Sequence, residues 1–170
     1  MAGKGAHRAF IAGVGMIPFA KPGASDTYDA MGANAARAAL ADARIDYSDV
    51  QQAYVGYVYG DSTSGQRALY ELGMTGIPIV NVNNNCSTGS TALFLARQAV
   101  ESGAVDCALA VGFEQMAPGA VGVHFSDRPS PFDRFDRETD ALVGQPDVPL
   151  AIRYFGGAGV AHMQKYGTGL

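Results

Sequence analysis

The segment Asn83-Asn84-Asn85-Cys86-Ser87-Thr88-Gly89-Ser90 is where this chain is best equipped for chemistry. It lies between an apolar run that reads as a strand and an Ala-rich run that reads as a buried helix. Open α/β sheets place their sites at such carboxyl ends of strands. Backbone N–H groups at a helix start lack intrahelical acceptors, and the helix dipole favours negative charge there, so a cysteine at that point tends toward the thiolate. A thiolate can attack a thioester. The N–H groups of the helix start, at Ser87 and Gly89, can stabilise an oxyanion, and Gly89 lets a backbone or an acyl chain come close. A buried structural cysteine, with Asn and Ser as turn and cap residues, fits the same pattern.

The elements that would position this segment follow from periodicity and breakers. Residues 8–14 (RAFIAGV) form a short apolar run ended by Gly15 and Pro18, which predicts a first strand. Ser25 and Asp26 are placed to cap a helix from about Thr27 to Ala43. Residues 52–59 predict a second strand, Gln66–Leu72 a short helix and residues 77–83 a third strand. Ser87–Glu101 predicts a helix, and residues 105–111 a fourth strand. The resulting βαβαβαβ order predicts an α/β fold, with a mostly parallel sheet and helices on both faces. In the central helix, seven of the ten residues Thr91–Val100 are Ala, Val, Leu or Phe. A helix apolar nearly all round expects cover on both sides, only one of which the sheet supplies.

Three regions are expected: residues 1–112 as the α/β half, 113–148 as an excursion from the sheet, and 149–170 as a helix returning to the core. The excursion is marked by eight charged residues among the fourteen from Asp127 to Asp140. The helix is expected from about Pro149 to Tyr166 despite Gly156, Gly157 and Gly159.

Four blocks carry a resemblance: VNNNCSTGSTALFLARQ (82–98), ALAVGFEQM (108–116), FSDR (125–128) and FGGAGVAHMQKYGT (155–168). In that order and spacing they resemble the thiolase superfamily, in its sterol-carrier-protein type. The resemblance implies that Cys86 forms an acyl-enzyme. It implies cleavage of a 3-oxoacyl-CoA by CoA, giving acetyl-CoA or propionyl-CoA and a shortened acyl-CoA, with CoA as substrate and no separate cofactor. It further implies a thiolase-like fold of two halves around a central helix pair, and a homodimer. The family's histidine motifs and second cysteine belong to a carboxyl-terminal half that these residues do not include. The expectation is therefore an amino-terminal half, as a fragment or as one part of a split assembly with a separate carboxyl-terminal half or small partner subunit. Two other readings stay open: a thiolase-like aldolase subunit, and a non-catalytic lipid or acyl-CoA binding or scaffold protein.

Arg128 and Arg134, with Arg137, lie in the excursion that in thiolases helps to bind CoA, and the guanidinium fork suits phosphate. A solvated charged loop accounts for them as well. Phe155 falls where thiolases bring the chain back over the pocket, so contact with an acyl chain and plain core packing are both expected roles. Cys107 reads as a structural residue within the fourth strand. His7, His124 and His162 are too scattered for a metal or triad site. The pair Gly13 and Gly15 lacks the third spaced glycine of a dinucleotide fingerprint.

Twelve Lys and Arg against sixteen Asp and Glu give a net charge of −4, which speaks against a nucleic-acid partner. The longest apolar stretches are too short for a membrane span, and two cysteines in separate elements fit a reducing compartment. These features predict a soluble cytoplasmic protein, or a peroxisomal one if the source is eukaryotic.

Overall fold

Parallel strands cannot be joined by tight turns, so each crossover must carry the chain back along the sheet, usually as a helix. That arrangement is seen here. The computed structural model describes residues 8–118, 120, 125–144 and 147–169. They fall into two compact units, residues 1–120 and 121–170. In the first, α1 (Tyr28–Ala43) leads through a 3-10 turn (Tyr47–Asp49) to β1 (Gln52–Gly56), α2 (Ser64–Tyr70), β2 (Ile79–Val82), α3 (Thr88–Glu101) and β3 (Ala108–Gly112). The three strands form a parallel sheet in the order β2-β1-β3.

β1 is the central strand, and its two faces divide the labour. Ala53 and Val55 pair in register with Leu109 and Val111 of β3. All four are buried in one core with Ala36 of α1 and Leu69 of α2. Val55 and Leu69 are the largest fully buried side chains, each worth roughly 1.5–3 kcal/mol of burial. The alternate positions Tyr54, Gly56, Ala110 and Gly112 point to the other face, where α3 packs on β1 and β3. α3 turns Thr88, Ala92, Ala96 and Ala99 inward.

The α/β class, the parallel sheet and the three helices around it match the sequence expectations. The first strand does not form. Residues 8–20 carry no strand pairing and lie along α1, where Gly13 and Gly15 come so near the backbone of Ala35, Ala39 and Ala43 that an added Cβ would sit within 2.5 Å of it. The Val14 N–H donates to Asp42 Oδ2 at 2.9 Å. A short apolar run satisfies the same pattern whether it joins a sheet or lies on a helix. The first helix starts one residue later than expected and is not capped by Ser25 or Asp26. Thr27 occupies the N-cap position, and the Tyr28 N–H donates to Gln115 Oε1 at 2.8 Å. A side chain 87 residues away does what a local cap was expected to do.

The second unit contains α4 (Asp133–Val143) and α5 (Leu150–Tyr166). The charged excursion thus holds an 11-residue helix that its composition did not announce. Arg153 of α5 reaches Asp140 at 2.8 Å and Asp136 at 3.4 Å, the Tyr154 hydroxyl bonds Asp136, and Phe135 meets Tyr154 edge to face. Mixed-sign charge that reads as solvated in sequence is here partly turned inward between two helices. Among the described residues no helix is long and apolar enough to cross a membrane.

Candidate functional site

The chain leaves β2 at Val82 and must reverse into α3 within five residues. Asn85 makes the reversal with φ +49°, a left-handed conformation that Asn tolerates better than most residues. This sharp strand-to-helix elbow presents the next residue, Cys86, to solvent as a free thiol.

The elbow is wired internally. The Ser87 and Thr88 N–H groups donate to Asn84 and Asn85 carbonyls at 3.2 and 3.0 Å, and Ser87 Oγ also donates to Asn84 O, at 2.9 Å. Thr88, 6% exposed, donates its hydroxyl to Val82 O at 2.8 Å and accepts the Asn84 N–H at 2.9 Å. That one hydroxyl closes the gap between the last residue of β2 and the turn. Asn84 Nδ2 donates to Thr91 Oγ1 at 2.9 Å, stapling the turn to the second turn of the helix. Within the first turn, the amides of Gly89 and Ser90 find no backbone acceptor among the described residues, as expected of a helix start. The Ser87 amide is taken up by the turn itself, whereas that of Gly89 is not.

Three glycines let this helix start come down onto the sheet. Gly56 and Gly112 are paired across β1 and β3 at their carboxyl ends. A Cβ on Gly56 would meet Thr88 O at 2.6 Å, and one on Gly112 would meet Gly89 Cα at 3.3 Å. The expected close approach at Gly89 is therefore made by the backbone of β3.

Around the elbow stand residues that sequence reasoning did not single out. Glu114, two residues past β3, accepts the N–H groups of Val58 and Tyr59, both at 2.9 Å. Tyr59 has its phenol pushed up from the ordinary 10.0, by burial first and then by Glu114 and Cys86. An acidic residue directly after a buried strand was the available signal for Glu114, since a carboxylate is rarely placed there without partners.

Cys107 is different. It lies one residue ahead of β3, half-buried against the core, and burial, then Asp49, raises its thiol above the ordinary 9.0. The other expected site residues belong to the second unit. Arg128 is exposed, paired with Asp127 at 2.8 Å and set over the Phe125 ring at 4.5 Å. Arg134 is exposed on α4. Phe155 is 76% exposed on α5, so packing within its own unit does not account for it. His162 lies beside Thr168 and Tyr166; His7 and His124 fall outside the described residues. Cavities of about 310 and 500 Å³ flank Tyr47 and include no residue of the elbow.

Residues 9–131 match the family described as thiolase, N-terminal domain. Human sterol carrier protein 2 is 54% identical over 168 residues, covering 95% of this chain and 30% of the human protein. The non-specific lipid-transfer protein-like 2 of Caenorhabditis elegans is 45% identical over 166 residues, covering 95% of this chain and 40% of that protein. The chain thus spans well under half the length of these relatives. The solved Ltp2-ChsH2(DUF35) aldolase superposes with a TM-score of 0.60 at 20% identity, over 96% of this chain and 39% of its own, a likeness of fold. With its parallel sheet, its helix start seated on paired glycines and a match over residues 9–131, the chain belongs to the thiolase family, whose amino-terminal domain it carries.

Proposed function

We propose that this chain supplies the nucleophile of a thiolase-type acyl transfer on 3-oxoacyl-CoA substrates, with Cys86 as the acyl acceptor. The observation that carries this reading is the exposed Cys86 thiol, presented by the Asn85 reversal at the start of α3. The Cys86 sulfur attacks the C3 carbonyl of the substrate, and the carbonyl electrons move to oxygen. Collapse of that adduct breaks the C2–C3 bond and leaves the shortened acyl group as a thioester on Cys86. The departing carbanion takes a proton and leaves as acetyl-CoA or propionyl-CoA. The thiol of free CoA then takes the acyl group from Cys86. The Gly89 amide, without a backbone acceptor among the described residues, is the helix-start donor assigned to the developing oxyanion in this reading. In this reading Arg128, Arg134 and Phe155 contribute to CoA and acyl contacts. The outward residues Leu93 and Phe94 of α3, 47% and 53% exposed, fit a second layer such as a second copy of the chain.

The test is incubation with an acyl-CoA, followed by intact-mass analysis and peptide mapping. One acyl group on Cys86, absent from Cys86→Ala, is the expected result. Acylation of Cys107, or equal acylation of the Cys86→Ala variant, would remove Cys86 from its role. Carriage of a lipid or acyl-CoA without turnover is the second reading, favoured by relatives whose names are those of sterol carriers and lipid-transfer proteins. In that case Cys86→Ala binds a fluorescent acyl-CoA as tightly as the unaltered chain, and neither protein is acylated.

A further inference from the structure

Asn84 stands two residues before Cys86, and its hydrogen bonds go to the start of α3. Its backbone N–H donates to Thr88 Oγ1 at 2.9 Å. Its carbonyl accepts the Ser87 N–H at 3.2 Å and the Ser87 hydroxyl at 2.9 Å. Its side-chain Nδ2 donates to Thr91 Oγ1, also at 2.9 Å. One residue is thereby tied to positions 87, 88 and 91 across the turn that carries Cys86. Only the link to Thr91 depends on what the side chain at position 84 is. The others are made by its backbone and survive a substitution there.

The threonine fixes the direction of that link. A hydroxyl has one proton to give, and Thr91 gives its own to Ser87 O at 3.0 Å, so toward Asn84 it can only accept. The amide NH2 of Asn84 must therefore face Thr91, with Oδ1 turned away. The resulting chain, Asn84 Nδ2 to Thr91 Oγ1 to Ser87 O, begins two residues before Cys86 and ends one residue after it. It closes a hydrogen-bonded ring around residues 84–87. Cys86 is an exposed free thiol that follows Asn85 in its left-handed conformation. How the sulfur stands to the helix start is set by the backbone that this ring encloses.

We propose that Asn84 is a positioning residue for the Cys86 site: through Thr91 its side chain closes the ring around residues 84–87 and so fixes how the thiol is presented at the start of α3. The proposal rests on the reading of Cys86 as the reactive thiol. Asn84 acts through the Thr91 hydroxyl and not on the reacting atoms. The Asn84–Thr91 bond is exposed to solvent, so its loss leaves the core intact and its effect stays at the elbow. A side chain that only stabilised the fold would lower Tm without moving the reactivity of Cys86 relative to Cys107, and would do so whether or not Thr91 carries a hydroxyl.

The test is a double-variant cycle read on the pH profile of Cys86 alkylation by iodoacetamide, mapped by peptide mass spectrometry with Cys107 as the internal reference. A thiolate gains from open helix-start amides only while it is held beside them. Asn84→Ala is therefore expected to move the Cys86 profile to higher pH and to slow alkylation near neutrality by about threefold, within the range of one hydrogen bond, with Cys107 unchanged. Thr91→Val should do the same, the double variant should be no slower than either single one, and Thr91→Ser, which keeps the hydroxyl, should react like the unaltered chain. Where Thr91→Val does not fold, Thr91→Ala replaces it in the cycle. Additive effects of the two substitutions, an unmoved Cys86 profile in both single variants, or equal slowing of Cys107 would overturn the proposal. Incubation of the same proteins with an acyl-CoA separates it from the reading it rests on. An unacylated Cys86 with the coupling intact would sink the acyl-enzyme reading and leave Asn84 as assigned. An acylated Cys86 with additive variants would do the reverse.

Discussion

The seat of α3 on the sheet makes a prediction that three single methyl groups can test. A Cβ at Gly56 would stand 2.6 Å from Thr88 O, 2.7 Å from Thr88 C and 2.9 Å from Gly89 N, all backbone atoms with no side chain to swing aside. Gly56→Ala must push the start of α3 off β1 or bend the strand. Overpacking of this kind costs about 1–3 kcal/mol, which for a chain of this size lowers Tm by roughly 2–12 °C. At Gly112 the nearest atom is Gly89 Cα at 3.3 Å, so Gly112→Ala should cost less. At Gly89 it is Gly112 Cα at 3.8 Å, an ordinary contact. There the gain of Ala over Gly in a helix, about 1 kcal/mol, makes Gly89→Ala neutral or stabilising. The assays are thermal unfolding by circular dichroism and the rate of Cys86 alkylation in the folded protein. Because the displaced atoms belong to Thr88 and Gly89, Gly56→Ala should change Cys86 reactivity as well as stability. Equal Tm values for the three variants, or a Gly89→Ala protein less stable than Gly56→Ala, would refute the argument that backbone contact seats the elbow.

Three other outcomes are expected. Thr88→Val should cost about 1–3 kcal/mol in urea unfolding, because it strands the Asn84 N–H and leaves the Val82 carbonyl with the Tyr57 N–H alone, whereas Thr88→Ser should recover most of it. Iodoacetamide near neutral pH should label exposed Cys86 before Cys107, whose thiol burial pushes above 9.0; peptide mapping that found Cys107 labelled first would contradict the assignment. The pH dependence of stability should follow two groups of opposite sign. The Asp29 carboxyl is held below its ordinary 3.8, chiefly by the Thr27 side chain, so its contribution is present above that value and is lost as pH falls through the lowered one. The Cys107 thiol is raised, so the unfolded chain ionises first and stability falls as pH climbs past 9.0. Denaturation curves for Asp29→Asn and Cys107→Ala that kept the full acid and alkaline slopes would show that other groups set them.

Much of the first unit was legible in the residues because its signals are local. A five-residue strand, a crossover helix ended at Ser102 and Gly103, and a cysteine among Asn and Ser at a strand-to-helix junction each depend on near neighbours in the chain. Alternation and capping preferences see that far and no farther. α5 was legible for the same reason, as a long helical run that three glycines weaken without breaking. What the local pattern could not decide was partnership. The apolar run at 8–14 satisfies a strand template, yet it lies along α1, because two glycines fit that helix backbone and pattern alone does not say which surface lies opposite. The start of α1 looked self-capped, yet Gln115 holds its first amide.

The site divides in the same way. The strand-to-helix junction that carries Cys86 could be placed from spacing, since its signals fall within eight residues. The layer beneath it was decided only in three dimensions. Gly56, Gly112 and Gly89 are ordinary glycines until the register pairs the first two and lowers the third onto them. Glu114 is one acidic residue among sixteen until the parallel order β2-β1-β3 brings the end of β3 beside the loop after β1. A sequence specifies such contacts only through the fold, because residues 55 positions apart, such as Glu114 and Tyr59, share no local term and meet only when the sheet has closed the distance.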